Sequence, residues 1–258
     1  MMCLLIFAHQ VSASYPLVVA ANRDEFYSRP TAASDFWAEH PHLLAGRDLL
    51  QGGTWMGVTS GGRFAAVTNF RDPSRSTPAP RSRGELPLDF LAGSQGPAEF
   101  LDDVANRAGD YAGFNLLVGD RSGLWYFTNS DIEASRPLAP GIYGLSNARL
   151  DTPWPKVELG KAKLRALLED GEVTHTALAR VVADRRVADP YRSVGQGPDT
   201  AMEHLLSAQF IVTGAYGTRS STTMWITGRN QVSWSEKTFN TEGQLSGRQH
   251  REFRLHCA

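Results

Sequence analysis

Cys3, Arg23, Asp24, Asn69, Asn147 and Arg219 are the side chains of this 258-residue chain whose types could together support nucleophilic chemistry. A cysteine that becomes the first residue carries a thiol and a free α-amine together. That amine titrates near pH ~8 and can take the thiol proton without a histidine. Met1 and Met2 both precede Cys3, so loss of one methionine leaves the amine blocked, whereas translation from Met2 removes the obstacle. The other reading of Cys3 is a buried strand cysteine acting as a small apolar residue. Arg23 and Asp24 lie in Asn22-Arg23-Asp24-Glu25, which ends an apolar run. Such groups, buried unpaired, cost several kcal/mol, so they must find partners or water. An arginine beside a thiol favours the thiolate. An aspartate there can orient a cysteine amine through a charge-assisted hydrogen bond. The alternative is a structural ion pair with Glu25 or Arg29.

Asn69 and Asn147 each follow a short apolar stretch. Amides at strand ends can donate to a developing oxyanion, or they can cap turns. Arg219 stands among hydroxyls in Tyr216-Gly217-Thr218-Arg219-Ser220-Ser221-Thr222. It can meet a carboxylate or phosphate bidentately, or cap a hairpin before the next strand. Gly52-Gly53-Thr54-Trp55-Met56-Gly57 lets backbone approach a ligand, but it lacks the Gly-Lys-Ser/Thr ending of a phosphate loop. The histidines show no metal-binding spacing, and His40-Pro41-His42 reads as a solvated pair, so no metal is expected.

The elements that must position these residues are mostly strands. Residues 3–8 and 17–21 are apolar runs of strand length, separated by the turn-prone Ser12-Ala13-Ser14-Tyr15-Pro16. Strands at 55–59 and 64–68 are joined by Ser60-Gly61-Gly62-Arg63, a hairpin signal. Residues 26–53 show few regular patterns and read as a long loop. The stretch 72–87, rich in Pro, Ser and Arg, reads as exposed. Short helices are expected near 88–91 and 97–107, and a hairpin over 114–118 and 124–127. A brief strand at 142–145 follows. Thr152-Pro153-Trp154-Pro155 starts a helix that Gly171 stops, and Thr174 caps a second one. Residues 184–209 read as irregular. Strands return at 224–227 and 232–235, with a last edge strand near 253–255. Strands at both ends with helices between suggest the α+β class.

The composition excludes several functions. Net charge is −1, with 41% hydrophobic and 21% charged residues, which is ordinary for a globular protein and gives no nucleic-acid footprint. The two cysteines, Cys3 and Cys257, are too few for a disulfide framework, and a single bridge between them stays open. No apolar run reaches the ~20 residues of a membrane-spanning helix. The chain reads as soluble and cytoplasmic, with reduced thiols.

The motifs, taken in order, resemble a known family. Met2-Cys3-Leu4-Leu5-Ile6-Phe7, Ala20-Ala21-Asn22-Arg23-Asp24-Glu25-Phe26-Tyr27-Ser28-Arg29-Pro30 and Gly52-Gly53-Thr54-Trp55-Met56-Gly57 open the match. Thr68-Asn69-Phe70-Arg71, Arg83-Gly84-Glu85-Leu86, Gly113-Phe114-Asn115-Leu116, Tyr143-Gly144-Leu145-Ser146-Asn147-Ala148, Asp151-Thr152-Pro153-Trp154 and Tyr216-Gly217-Thr218-Arg219 continue it. Together they resemble the NRDE family, also called the transport and Golgi organisation protein family. The resemblance implies one domain over 1–258 with a four-layer αββα sandwich like that of N-terminal-nucleophile hydrolases. In the related bile-salt hydrolase branch a leading cysteine works with an Arg and Asp shortly downstream, two asparagines and a late arginine. Cys3, Arg23, Asp24, Asn69, Asn147 and Arg219 stand where such residues would be expected.

Members of the family itself are linked to haem trafficking and to lipid or acyl-CoA homeostasis. The resemblance therefore implies intracellular binding and trafficking of haem or a similar amphipathic anionic ligand. No cofactor is required, haem is a candidate cargo, and a membrane or protein would accept the cargo. Arg23, Trp55, Asn69 and Arg219 are the expected ligand contacts. Trp37, Trp55, Phe70 and Trp154 would wall one pocket, unless these aromatics are simply core. The alternative function is hydrolysis of a non-peptide C–N (amide) bond by Cys3.

Overall fold

The structure, a computed structural model, describes residues 2–70, 79–130, 135–171, 173–187 and 206–256. The chain runs β1 (Met2–His9), β2 (Leu17–Phe26), β3 (Thr31–Phe36), β4 (Leu43–Asp48), β5 (Met56–Thr59) and β6 (Phe64–Asn69). Two helices follow, α1 (Glu85–Ala92) and α2 (Pro97–Asn106). Then come β7 (Phe114–Asp120), β8 (Gly123–Thr128), β9 (Arg136–Pro137) and β10 (Gly141–Leu145). Helices α3 (Pro155–Asp170) and α4 (His175–Val181) precede β11 (Tyr216–Ile226), β12 (Gln231–Phe239) and β13 (Leu245–Arg254). One sheet has the order β10-β1-β2-β11-β12-β13, the other β3-β4-β5-β6-β7-β8-β9. Every strand pair is antiparallel.

Side-chain alternation explains the layers. In β1, Leu5 and Phe7 point between the sheets, where they pack with Val19, Met224 and Trp234 against Met56, Val58, Phe64 and Leu117. Leu4, Ile6 and Ala8 point the other way, with Val18 and Ala20, into a cluster under Val157, Leu164, Leu178 and Val181 of α3 and α4. The second sheet does the same: Ala65, Val67, Leu116 and Val118 turn outward beneath Leu86, Phe90, Phe100 and Leu101 of α1 and α2. A strand buried on both faces has no polar side to show, which is why β1 reads as an unbroken apolar run. The result is a four-layer αββα sandwich of the α+β class, the architecture the resemblance implies.

Local chemistry sets the helix limits as expected. Pro155 opens α3, and Gly171 closes it in the left-handed region at φ 76°. The Thr174 hydroxyl accepts the Ala177 N–H at the start of α4. Three expectations are corrected. Residues 26–53 are not a long loop, because β3 and β4 lie there. Both are short, and β3 carries Ala, Ser and Asp with a register shift between Ala32 and Asp35, so no alternation shows. The segment 216–222 lies inside β11 rather than before a strand. β13 extends over ten residues where a short strand was expected. Cys257, residues 71–78 and most of 184–209 lie outside the described residues, whereas Cys3 is a free thiol. Among the described residues no helix is long and apolar enough to cross a membrane.

Candidate functional site

The polar tetrad does not end its strand. β2 continues through Asn22-Arg23-Asp24-Glu25 to Phe26, and all four side chains are buried. Alternation then divides them. Arg23 and Glu25 share the inter-sheet face with Val19 and Ala21, while Asn22 and Asp24 share the helix-facing side with Val18 and Ala20. Cys3 is the cross-strand partner of Arg23, so thiol and guanidinium occupy one face. The Asp24 carboxylate occupies the other.

On the inter-sheet face the Arg23 guanidinium stacks on Trp55 with its centre 4.4 Å from the ring centroid. Its Nη1 donates to the Thr31 hydroxyl at 3.3 Å, and Nη2 lies 3.8 Å from Glu25 Oε2. Arg29 also reaches Glu25, at 3.7 Å, and grips Asp48 with bonds of 3.1 and 2.6 Å. Next to this group a cavity of about 270 Å³ opens between the sheets. Thr31, Trp55, Arg219, Ser220, Glu236 and Phe239 are among its lining residues. Arg219 sits at a bulge of β11, between Thr218 and Ser220. Its Nη1 donates to the carbonyls of Phe26, Tyr27 and Arg29 at 2.9, 3.3 and 3.0 Å. It thereby clamps the 26–30 turn, while its remaining N–H groups are not used in those bonds. The Glu236 carboxylate accepts the Ser34 N–H at 2.7 Å. Burial raises its pKa.

Cys3 is 5% exposed, and burial, followed by the nearby Asp24 charge, pushes its thiol up to about 12. Residue Met2 continues β1 beyond it and pairs with Asp24, so with Met2 present the Cys3 nitrogen is a strand amide. The Cys3 carbonyl accepts the Ser146 hydroxyl at 2.8 Å. Ser146 is also bonded to Asn147 Oδ1 at 3.1 Å, and Asn147 Nδ2 donates to the Asn69 carbonyl at 3.0 Å. Thr68 Oγ1 donates to the Ser146 carbonyl at 2.6 Å. Asn69 and Asn147 thus meet beside Cys3, and the Asn147 amide helps hold the sheets together there.

On the helix side, Asp24 accepts the Thr218 hydroxyl at 2.7 Å. Burial raises its pKa to about 6. Lys156 of α3 faces the same layer; burial lowers its pKa to about 8, against the opposing pull of Asp24. Asn22 donates to the carbonyls of Val182 and Gln209, both at 2.8 Å, and accepts Ser221 at 2.5 Å. It fastens the end of α4 and the 206–209 segment to the sheet.

Of the six predicted site residues, Cys3, Arg23, Asn69 and Asn147 gather at one end of the inter-sheet space. Arg219 lines the adjoining cavity, and Asp24 faces away. The four aromatic walls do not share a pocket. Trp37 lies under α1 and α2, Trp154 borders the α3 cluster, and Trp55 alone of the four lines the cavity. Glu236, Ser220 and Lys156 were not anticipated. Only the alternation of long strands could have signalled the first two, and β12 was read four residues long. Among the described residues no cluster of His, Cys, Asp and Glu is arranged to hold a metal.

Three comparisons show which known proteins this chain is similar to. The sequence profile described as Transport and Golgi organisation 2 matches residues 2–241. The Transport and Golgi organization 2 homolog of Mus musculus is 33% identical over 92% of this chain and 93% of its own length. The corresponding protein of Bos taurus is 36% identical over the same shares. Among solved structures, an N-acylethanolamine-hydrolyzing acid amidase ortholog from Caenorhabditis elegans is 13% identical, covers 86% of this chain and 92% of that one, and has a TM-score of 0.44. A mutant conjugated bile acid hydrolase from Clostridium perfringens is 11% identical, covers 99% and 92%, and has a TM-score of 0.47.

Proposed function

Because this chain belongs to the Transport and Golgi organisation 2 family, we propose that it binds and hands on an amphipathic anionic small molecule in the inter-sheet cavity. The observation that supports this reading is Arg219 at the cavity wall, held by three carbonyls through one nitrogen, with Trp55 and Phe239 as apolar lining. Polar groups predominate in the lining, with Ala32, Ala33, Trp55 and Phe239 as its apolar part, and fixed polar groups are what orient a small molecule. The volume of about 270 Å³ is below the 300–1,000 Å³ of most ligand pockets. It suits the head and first part of a long ligand, with the remainder outside. Haem fits only in part. Arginines here could meet a propionate, but the lining residues include none of the His, Cys, Met or Tyr side chains that ligate haem iron. Calorimetric titration of the purified chain with palmitate, palmitoyl-coenzyme A and haemin tests the reading. Saturable binding of at least one at micromolar concentration is expected, weakened about tenfold or more in Arg219→Ala. No saturable heat with any of the three would end it.

A second reading is favoured by the grouping of Cys3, Arg23, Asn69 and Asn147: hydrolysis of a non-peptide amide. The free α-amine would take the thiol proton, the thiolate would add to the carbonyl carbon, the C–N bond would break as that proton passes to the leaving amine, and water would then hydrolyse the thioester to the acid and restore the thiol. With Met2 in the strand and the thiol at about 12, this chemistry requires removal of both methionines. Intact mass of the purified protein decides: a retained Met2 rules the reading out. A mass beginning at Cys3 would require that Cys3→Ala abolish turnover of an N-acyl amide.

A further inference from the structure

We propose that the anionic head bound in the inter-sheet cavity is a carboxylate, held by Arg23 Nε–H and Ser220 Oγ–H; the inference rests on the carrier reading above. Both groups are buried, Arg23 at 3% exposure and Ser220 at 5%. Neither Arg23 Nε nor Ser220 Oγ has a hydrogen-bond partner among the described residues. Buried donors without partners are rare in folded proteins and call for an explanation at each position. These two are not scattered. Arg23 and Ser220 are direct cross-strand partners of β2 and β11, so their side chains emerge on one face as neighbours. Ser220 lines the cavity, and Arg23 lies against two other lining residues, Thr31 and Trp55.

The guanidinium is also fixed before any ligand arrives. Stacking on Trp55 sets its plane, the Thr31 bond holds Nη1, and Nη2 lies 3.8 Å from the Glu25 carboxylate. Nε–H is what remains, and one guanidinium N–H beside a hydroxyl offers two donors to one carboxylate. Charge decides against a phosphate. Arg23, Arg29 and Arg219 are opposed here by Glu25, Asp48 and Glu236, so the arrangement is close to neutral. A carboxylate adds one negative charge, whereas a phosphate monoester brings nearly two at neutral pH against the Glu236 carboxylate. Ala32, Ala33, Trp55 and Phe239 offer apolar wall to the first carbons of the chain.

Calorimetry on the full chain with decanoate, decanol, decyl phosphate and decanoyl-coenzyme A tests the assignment. Decanoate is expected to bind saturably, with decanol and decyl phosphate at least tenfold weaker. Ser220→Ala should weaken decanoate about tenfold, as loss of a hydrogen bond to a charged group does, and leave decanol unchanged. Arg23→Lys, which keeps the charge but lacks Nε, should weaken it at least as much. Thermal melts of Ser220→Ala confirm that the variant is folded. Decyl phosphate binding as tightly as decanoate, or Ser220→Ala without effect on it, would overturn the assignment. Binding of decanoyl-coenzyme A without decanoate would sink the carboxylate head and leave the carrier reading standing. No binding by any of the four would sink the carboxylate head too, while the palmitate, palmitoyl-coenzyme A and haemin titrations decide the carrier reading separately.

Discussion

The charged residues of β2 divide by face, and each face has its own consequence. Arg23 and Glu25 build a polar chamber between the sheets, and Asp24 and Lys156 face the same layer beneath α3, each feeling the other's charge. Burial holds the Asp24 pKa near 6 against an ordinary 3.8, and holds Lys156 near 8 against 10.5. The signs follow from proton counting. Between about pH 4 and 6 the native state keeps a proton on Asp24 that the unfolded chain has shed, so stability falls as pH rises. Between about pH 8 and 10.5 the unfolded chain keeps a proton that native Lys156 has lost, so stability rises with pH from that group. The Asp24 decline is worth up to about 3 kcal/mol, at about 1.4 kcal/mol per unit. Asp24→Asn can still accept the Thr218 bond through its amide oxygen. Urea unfolding of this variant at pH 4, 5 and 6 should show a flatter profile than wild type. Parallel profiles would mean that Asp24 titrates normally.

At the level of elements, the best-read features were those with a chemical start and stop. α3 is bounded by Pro155 and by Gly171, whose φ of 76° suits glycine. Nothing lies within 4 Å of a Cβ placed at Gly171, so a substitution there reports backbone strain alone. Gly171→Ala should lose about 1–2 kcal/mol in urea unfolding, and Gly171→Asn less, because Asn tolerates the left-handed region. Equal stability of Gly171→Ala and wild type would mean that the end of the helix rearranges freely. The elements that escaped the sequence lacked such marks. β3 has a register shift and small polar residues, and the first half of β11 is Tyr-Gly-Thr-Arg-Ser-Ser. Polar residues in a central strand look like a loop until their partners on other strands are known.

For the molecule as a whole, the decisive feature is the stacking of four layers through small residues. An ideal Cβ at Gly160 of α3 would lie 2.7 Å from two atoms of Ile6 in β1. Gly160→Ala should therefore destabilise by about 1–3 kcal/mol through overpacking, although alanine is the better helix former by about 1 kcal/mol. An unchanged or raised urea midpoint would show slack between α3 and its sheet. The same stacking explains what could be read from the chain alone. Its order of motifs, the apolar runs of β1 and β2, the hairpins at 60–63 and 120–123 and the limits of α3 follow from local composition and turn chemistry. The order of motifs carries the family resemblance, and it is the resemblance that implies the four-layer architecture. Which face each residue serves was not determined there. Asp24 follows Arg23 by one position and points into another layer. Ser220 and Glu236 lie hundreds of positions from Cys3 and line the cavity beside Arg23. Facing and long-range pairing depend on strand register, and register is settled only when both sheets and their helices pack together.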